Sequence, residues 1–352
     1  MDNFELNEER DLAFLFEYGL FLAKTVTIIF GIAVVIILVV GASQKPKSKK
    51  GEIEVTDLSD SLAQSKEQFL EQTLDKKALK ARNKAQSKEQ KSKDKNKEDT
   101  KNVFYIEFNG SMDAHEVSAL REEINAILTI ADKNTDQVIV SVESGGGVVH
   151  GYGLGASQLA RIKQAGIPLT VCVDKVAASG GYMMACVADK IIAAPFAIIG
   201  SIGVIAQIPN FNRLLKKNNV DFEMVTAGEY KRTLTLFGEN TDKGREKFKE
   251  EIEETHGLFK HFVADNRADL DIEKVATGEH WFGTQALALK LVDEISTSDD
   301  LLMSLNENHQ LYKVAYKAKK GVAEKFGLQL GGAAERLTIK ALSKLNLSRY
   351  FA

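Results

Sequence analysis

Apolar positions in this chain fall into one long run followed by two alternating periods. From Leu20 to Ala42 almost every side chain is apolar, interrupted mainly by Lys24 and two threonines. As a helix, a run of that length spans a hydrocarbon core of ~30 Å. The preceding residues are acidic (Asp2, Glu5, Glu8, Glu9, Asp11 and Glu17 against Arg10). A cleaved leader has a basic start and a shorter apolar run, so the segment reads as a retained single-pass anchor. Residues 43–102 are rich in Lys, Gln, Glu and Ser, and Lys84–Lys101 has hardly any apolar side chain with which to build a core. Leu58, Leu62, Phe69, Leu74 and Leu79 are loosely spaced on one helical face, so this stretch reads as a solvated linker or a stalk helix.

From Val103 onward the two periods alternate. Val103–Phe108, Val138–Val142, Leu169–Val173 and Lys190–Ala194 read as strands, and Ile198–Val204 and Phe222–Thr226 extend the series. Between them, residues 114–131 and 151–165 have helical spacing, with Val117, Leu120, Ile124 and Ile127 on one face of the first. Residues 243–268 form a charged amphipathic helix, two short helical patterns fill 272–295, and a helix, a strand near Tyr312–Tyr316 and a Lys-rich end complete the tail. Alternation with short links predicts an α/β fold around a largely parallel sheet. The predicted organisation is an acidic segment 1–19, an anchor 20–42, a charged linker 43–102, a catalytic core 103–298 and an extension 299–352.

Composition changes this picture little. Of 352 residues 44% are hydrophobic and 27% charged, with a net charge of −3, so no nucleic-acid footprint is present. The two cysteines, Cys172 and Cys186, lie in apolar runs and read as packing thiols. Among the six histidines, His256 and His261 are five apart rather than four, so no metal-ligand pair shares a helix face. No cofactor motif is present. The glycine turn after the second strand lacks the Gly-Lys-[Ser/Thr] ending of a phosphate loop.

The candidate chemistry centres on Ser179, in Lys175-Val176-Ala177-Ala178-Ser179-Gly180-Gly181-Tyr182. A β-rich run, a small-residue turn with one hydroxyl and an apolar helix put that serine at a helix start, where glycines let a substrate backbone approach. A serine hydroxyl needs a base to take its proton. Lys231, 52 positions on in Ala227-Gly228-Glu229-Tyr230-Lys231-Arg232, is the candidate. A lysine serves only when neutral, and burial in an apolar pocket lowers its pKa from ~10.4 by as much as ~3–5 pH units. Leu234, Leu236 and Phe237 are placed to dry it. Gly145-Gly146-Gly147 follows a strand and precedes a helix, so an amide of Gly147 or Gly146, with that of Gly180, can serve as an oxyanion donor. A Ser179–His150 pairing is the rival scheme.

Four segments together resemble the signal peptide peptidase A family of serine proteases, on its SohB branch. They are Gly110-Ser111-Met112-Asp113-Ala114-His115-Glu116-Val117, the Val176–Ala185 run, Gly200-Ser201-Ile202-Gly203-Val204 and Tyr230-Lys231-Arg232. The resemblance implies a Clp-protease-like (crotonase-type) core and a Ser/Lys dyad of Ser179 and Lys231. It further implies that Ser201 orients the lysine and that Gly147 or its neighbour donates to the oxyanion. It implies a ring of copies with serine and lysine drawn from one protomer or from neighbouring ones, no cofactor, and short or unfolded peptide substrates such as signal-peptide remnants. The family usually has Ser-Pro-Gly-Gly where this chain has Ser144-Gly145-Gly146-Gly147. Family precedent places the core in the periplasm beside the bacterial inner membrane, whereas Lys45, Lys47, Lys49 and Lys50 after the anchor place it in the cytoplasm. The competing readings are a catalytically silent membrane scaffold of the same shape and a crotonase-type acyl-CoA enzyme.

Overall fold

Alternate residues of each central strand go to opposite faces of one sheet. Phe104, Ile106 and Phe108 join one buried cluster, and Val103 and Tyr105 join another. Such a sheet is covered on both sides, which is why its strands read as near-continuous hydrophobic runs. The computed structural model describes residues 18–32, 51–75, 77–79, 82 and 101–318. The chain divides into two units, Ile53–Lys317 and the two ends, 1–52 with 318–352. Of the ends, residues 18–32 form a helix, α1. The rest of the expected anchor (33–42) and the tail from 319 lie outside the described residues. Among the described residues no helix is long and apolar enough to cross a membrane.

The larger unit runs β1 (Glu52–Asp57), α2 (Leu58–Thr73), β2 (Lys101–Asn109), α3 (Val117–Ile130), β3 (Gln137–Glu143), α4 (Val149–Gln164), β4 (Leu169–Val173), β5 (Val176–Ala178), α5 (Gly180–Ala185), β6 (Lys190–Ala193) and β7 (Ile198–Gly200). It continues with α6 (Asn212–Lys217), α7 (Asp242–Asn266), α8 (Ile272–Val275), β8 (His280–Phe282), α9 (Gly283–Ala288), β9 (Glu294–Ile295), α10 (Ser298–Leu305) and β10 (His309–Lys317). The main sheet has the order β1-β10-β2-β3-β4-β6-β9, and every pairing from β10 to β9 is parallel. The fold is α/β with a mostly parallel sheet, as the alternation of strand and helix patterns predicts. A small second sheet, β5-β7-β8, stands beside it.

Three expectations change. The unit reaches beyond 103–298 at both ends, because β10 inserts between β1 and β2. Leu58 and Leu62 are not on a solvated stalk but pack against the second cluster with Leu301, Leu302 and Leu305. Phe222–Thr226 forms no strand; it lies exposed, with no neighbouring strand to satisfy its backbone.

Candidate active site

Parallel strands gather their C-terminal ends on one edge of a sheet, and loops there build sites. Four such ends meet here. β2 leads into the Gly110–Glu116 loop, β3 into Ser144–Gly147, β5 into Ser179 and β7 into Ser201. The second and third are joined, since Ser144 bridges Ala177 in parallel. β5 and β7 are parallel with Ala178 opposite Gly200, so Ser179 and Ser201 are the next residues on adjacent strands.

Both serines have positive φ, 51° at Ser179 and 50° at Ser201, and Gly146 lies at 87°. At a non-glycine residue that conformation costs of order 1–3 kcal/mol and persists only where the surroundings dictate it. At Ser179 they do. Its N–H donates to the Gly200 carbonyl (2.7 Å), its carbonyl accepts from Met183 N–H (2.9 Å), and Ala178 N–H donates to the Ser144 carbonyl (3.0 Å). The serine is turned out of its strand at the head of α5, half-buried, facing a cavity.

That cavity has a volume of about 710 Å³. Its lining includes Ser179, Gly180, Gly145–Gly147 and Ser201, with apolar walls from Met112, Val148, Met183 and Phe259. The glycines are packed against one another. A Cβ on Gly146 would lie 2.7 Å from the Gly180 nitrogen, and one on Gly181 would lie 2.5 Å from the Ser144 carbonyl oxygen. Gly146 N–H is turned back onto Ser144 Oγ (3.1 Å). Among the described residues the amides of Gly147 and Gly180 have no protein acceptor, so these two are available to an oxyanion.

Gly147 is the position least able to change. Its Cβ would lie 2.0 Å from the backbone oxygen of Met112 and 2.6 Å from that residue's carbonyl carbon, neither of them a mobile atom. Gly147→Ala is expected to cut turnover by about 10²–10³-fold, the effect of losing one oxyanion donor, and to destabilise the unit by about 1–3 kcal/mol. Gly153→Ala, with nothing within 4 Å, is the matched control. Peptide hydrolysis and a thermal melt of the two variants check this, and equal behaviour of the pair refutes it.

Ser201 Oγ donates to the Gly278 carbonyl (3.4 Å) and its N–H to the Glu279 carbonyl (2.7 Å). Lys231 is not among the residues lining the cavity. It is exposed, on a loop latched to α7 by its neighbours. Glu229 pairs with Lys243 (2.5 Å), and the Tyr230 ring lies under the ammonium groups of Lys243 and Lys247, at 5.8 and 5.5 Å. The Lys243 hydrogen bond holds the Glu229 carboxyl below its ordinary pKa. His150 is exposed and does not line the cavity. The histidine that does is His256, one helical turn before Phe259 on α7, with Nε2 donating to the Ile202 carbonyl (3.2 Å). Sequence spacing gave no sign of it, because only the packing of α7 brings it there. No group of His, Cys, Asp or Glu suited to a metal is found among the described residues. Both cysteines are buried, and burial pushes each thiol up to about 12.

Two family profiles cover this architecture. The S49 N-terminal profile matches residues 13–159 and the S49 profile matches residues 161–312. The chain belongs to peptidase family S49, on its SohB branch. It is 54% identical over 324 residues to a probable protease SohB of Haemophilus influenzae, covering 89% of this chain and 92% of that one. To the probable protease SohB of Buchnera aphidicola from Acyrthosiphon pisum it is 55% identical over 312 residues, covering 89% and 93%. A solved ClpP1 mutant from Listeria monocytogenes is 15% identical, with a TM-score of 0.38 over 56% of this chain and 92% of that one. As an S49 member the chain is a peptidase.

Proposed function

We propose that the chain is a membrane-anchored serine endopeptidase with a Clp-protease/crotonase-type core, in which Ser179 is the nucleophile and Lys231 the general base. The observation that carries this reading is the convergence on one cavity of a serine in a forced positive-φ turn with two unspent backbone amides, those of Gly147 and Gly180. Ser179 Oγ attacks the scissile carbonyl while its proton passes to neutral Lys231 Nζ. The carbonyl oxygen becomes an anion held by the Gly147 and Gly180 amides. Collapse breaks the C–N bond, the lysine proton goes to the leaving amine, and water then releases the acyl group by the same steps in reverse order. Ser201 orients the lysine. No cofactor takes part.

Lys231 reaches Ser179 from a neighbouring copy in a homo-oligomeric ring. Two observations support this. The lysine stands on an exposed loop away from its own cavity. The same segment exposes a run of large apolar side chains, among them Ile205 at 80%, Val225 at 96% and Phe211, Leu214, Phe222 and Phe237 at lesser values, a patch that a monomer in water would not leave uncovered. The apolar cavity walls suit short or unfolded peptides with small or apolar side chains at the cut, such as signal-peptide remnants. The direct test is labelling by a fluorophosphonate probe: the wild type is expected to label and Ser179→Ala not to. An unlabelled wild type favours a silent scaffold.

The anchor reading, residues 20–42 in a bacterial inner membrane, is supported by α1, where Thr25 and Thr27 donate back to the Phe21 and Ala23 carbonyls (2.8 Å each) and so hide their hydroxyls. Alkaline carbonate is expected to leave the full chain in the membrane pellet and detergent to release it; release by carbonate alone rules the anchor out. Protease added to intact spheroplasts reads the side, digesting an outward-facing core and sparing an inward-facing one.

A further inference from the structure

Tyr152 is completely buried in α4, directly under the nucleophile turn. A Cβ on Gly180 would lie 2.4 Å from the tyrosine Cγ, so the ring is the floor on which that turn rests. Its hydroxyl does something separate. The single phenolic proton is donated to the Ser111 carbonyl (2.8 Å). With that proton spent, the 2.5 Å contact between Tyr152 Oη and Ser144 Oγ takes the serine's, in preference to the longer contact of Ser144 Oγ with the Gly110 carbonyl (3.3 Å). The serine oxygen in turn accepts Gly146 N–H (3.1 Å). A directed chain results: Gly146 N–H to Ser144 O–H to Tyr152 O–H to Ser111 C=O. Burial raises the phenol's pKa and keeps its proton in place. The loop at the far end of the chain is tied to the glycine turn a second time, by Val148 N–H on the Met112 carbonyl (2.9 Å).

We propose that Tyr152 and Ser144 are a positioning pair for the reaction: their hydroxyls turn Gly146 inward, and this aims the Gly147 amide at the oxyanion beside that of Gly180. The inference rests on the serine-peptidase reading. Neither residue touches the substrate. Gly145 leaves this turn free, and the hydroxyl chain supplies the constraint.

Tyr152→Phe keeps the floor and removes only the terminal hydroxyl, whereas Ser144→Ala breaks the same chain in the middle. Full-length assembled protein is assayed on a fluorogenic peptide, with active sites counted by fluorophosphonate labelling and with a peptidyl boronate as the tetrahedral mimic. Each variant is expected to lose about tenfold in kcat per labelled site with KM within about twofold, since the lost contact acts only where charge develops. The boronate Ki should rise by the same factor. The double variant should be no worse than about twofold below either single one, because a chain is broken only once. Unchanged kcat per labelled site, a KM that rises with the kcat loss, or single losses that multiply each overturn the pairing. Labelled wild type with a normally active Tyr152→Phe overturns this inference alone, and an unlabelled wild type removes the serine-peptidase reading and this inference together.

Discussion

Ser179→Ala is expected to lower peptide turnover by about four orders of magnitude or more, as removal of a nucleophile that works with a base does elsewhere. The fold should not notice. The side chain is half-buried and none of the backbone bonds that force its positive φ uses Oγ. Alanine carries the same Cβ, so the conformational cost of the turn is unchanged. The thermal midpoint should therefore stay within a degree or two of wild type while hydrolysis disappears. A variant that still cleaves at more than about a hundredth of the wild-type rate would assign the nucleophile elsewhere.

Lys231→Met should be equally inactive, and its diagnostic value comes from mixing. The Ser179→Ala protein retains the lysine and the Lys231→Met protein retains the serine. In a ring of heterologous contacts each site draws one residue from each of two adjacent copies. Random co-assembly of equal amounts then gives roughly a quarter of sites both intact groups. Recovery approaching roughly 25% of wild-type activity after dissociation and reassembly is the expected result. Complete absence of recovery in demonstrably mixed oligomers would place the dyad within one chain and require the Lys231 loop to swing into its own cavity. The loop's latch makes that expensive in contacts, since Glu229 and Tyr230 are both held to α7.

Much of the fold could be read from periodicity because the central strands are buried on both faces and the helices between them on one. Val103–Phe108 and Val138–Val142 fall within β2 and β3. Elements at the sheet margin were illegible for a physical reason. β1 is exposed along most of its length, and α2 carries only Leu58 and Leu62 into the core, so neither shows a full apolar face. Phe222–Thr226 has strand composition with no partner strand, and composition alone cannot supply one. At the site, Ser179 and the glycines were visible because a small-residue turn between strand and helix is a local pattern. Tyr152 and His256 were invisible as site residues, since each lies within an ordinary amphipathic helix and meets the cavity or its floor only through tertiary packing. Lys231 was visible by its motif, but its separation from the cavity was not.

The placement of β10 has a consequence for biosynthesis. Gln310 and Asp57 are hydrogen-bonded across 253 positions of chain, and among the described residues β10 is the only neighbour of β1 in the sheet. His309 emerges 200 residues after Asn109 closes β2, so at ribosomal speeds of ~5–20 residues per second the β2 edge waits about 10–40 s for its partner. Throughout that interval a hydrophobic strand offers its unpaired amides and carbonyls to any neighbouring nascent chain. Each polypeptide therefore emerges with an unguarded seam that its own β10 must seal, and a ribosome stalled before residue 309 would release an aggregation seed.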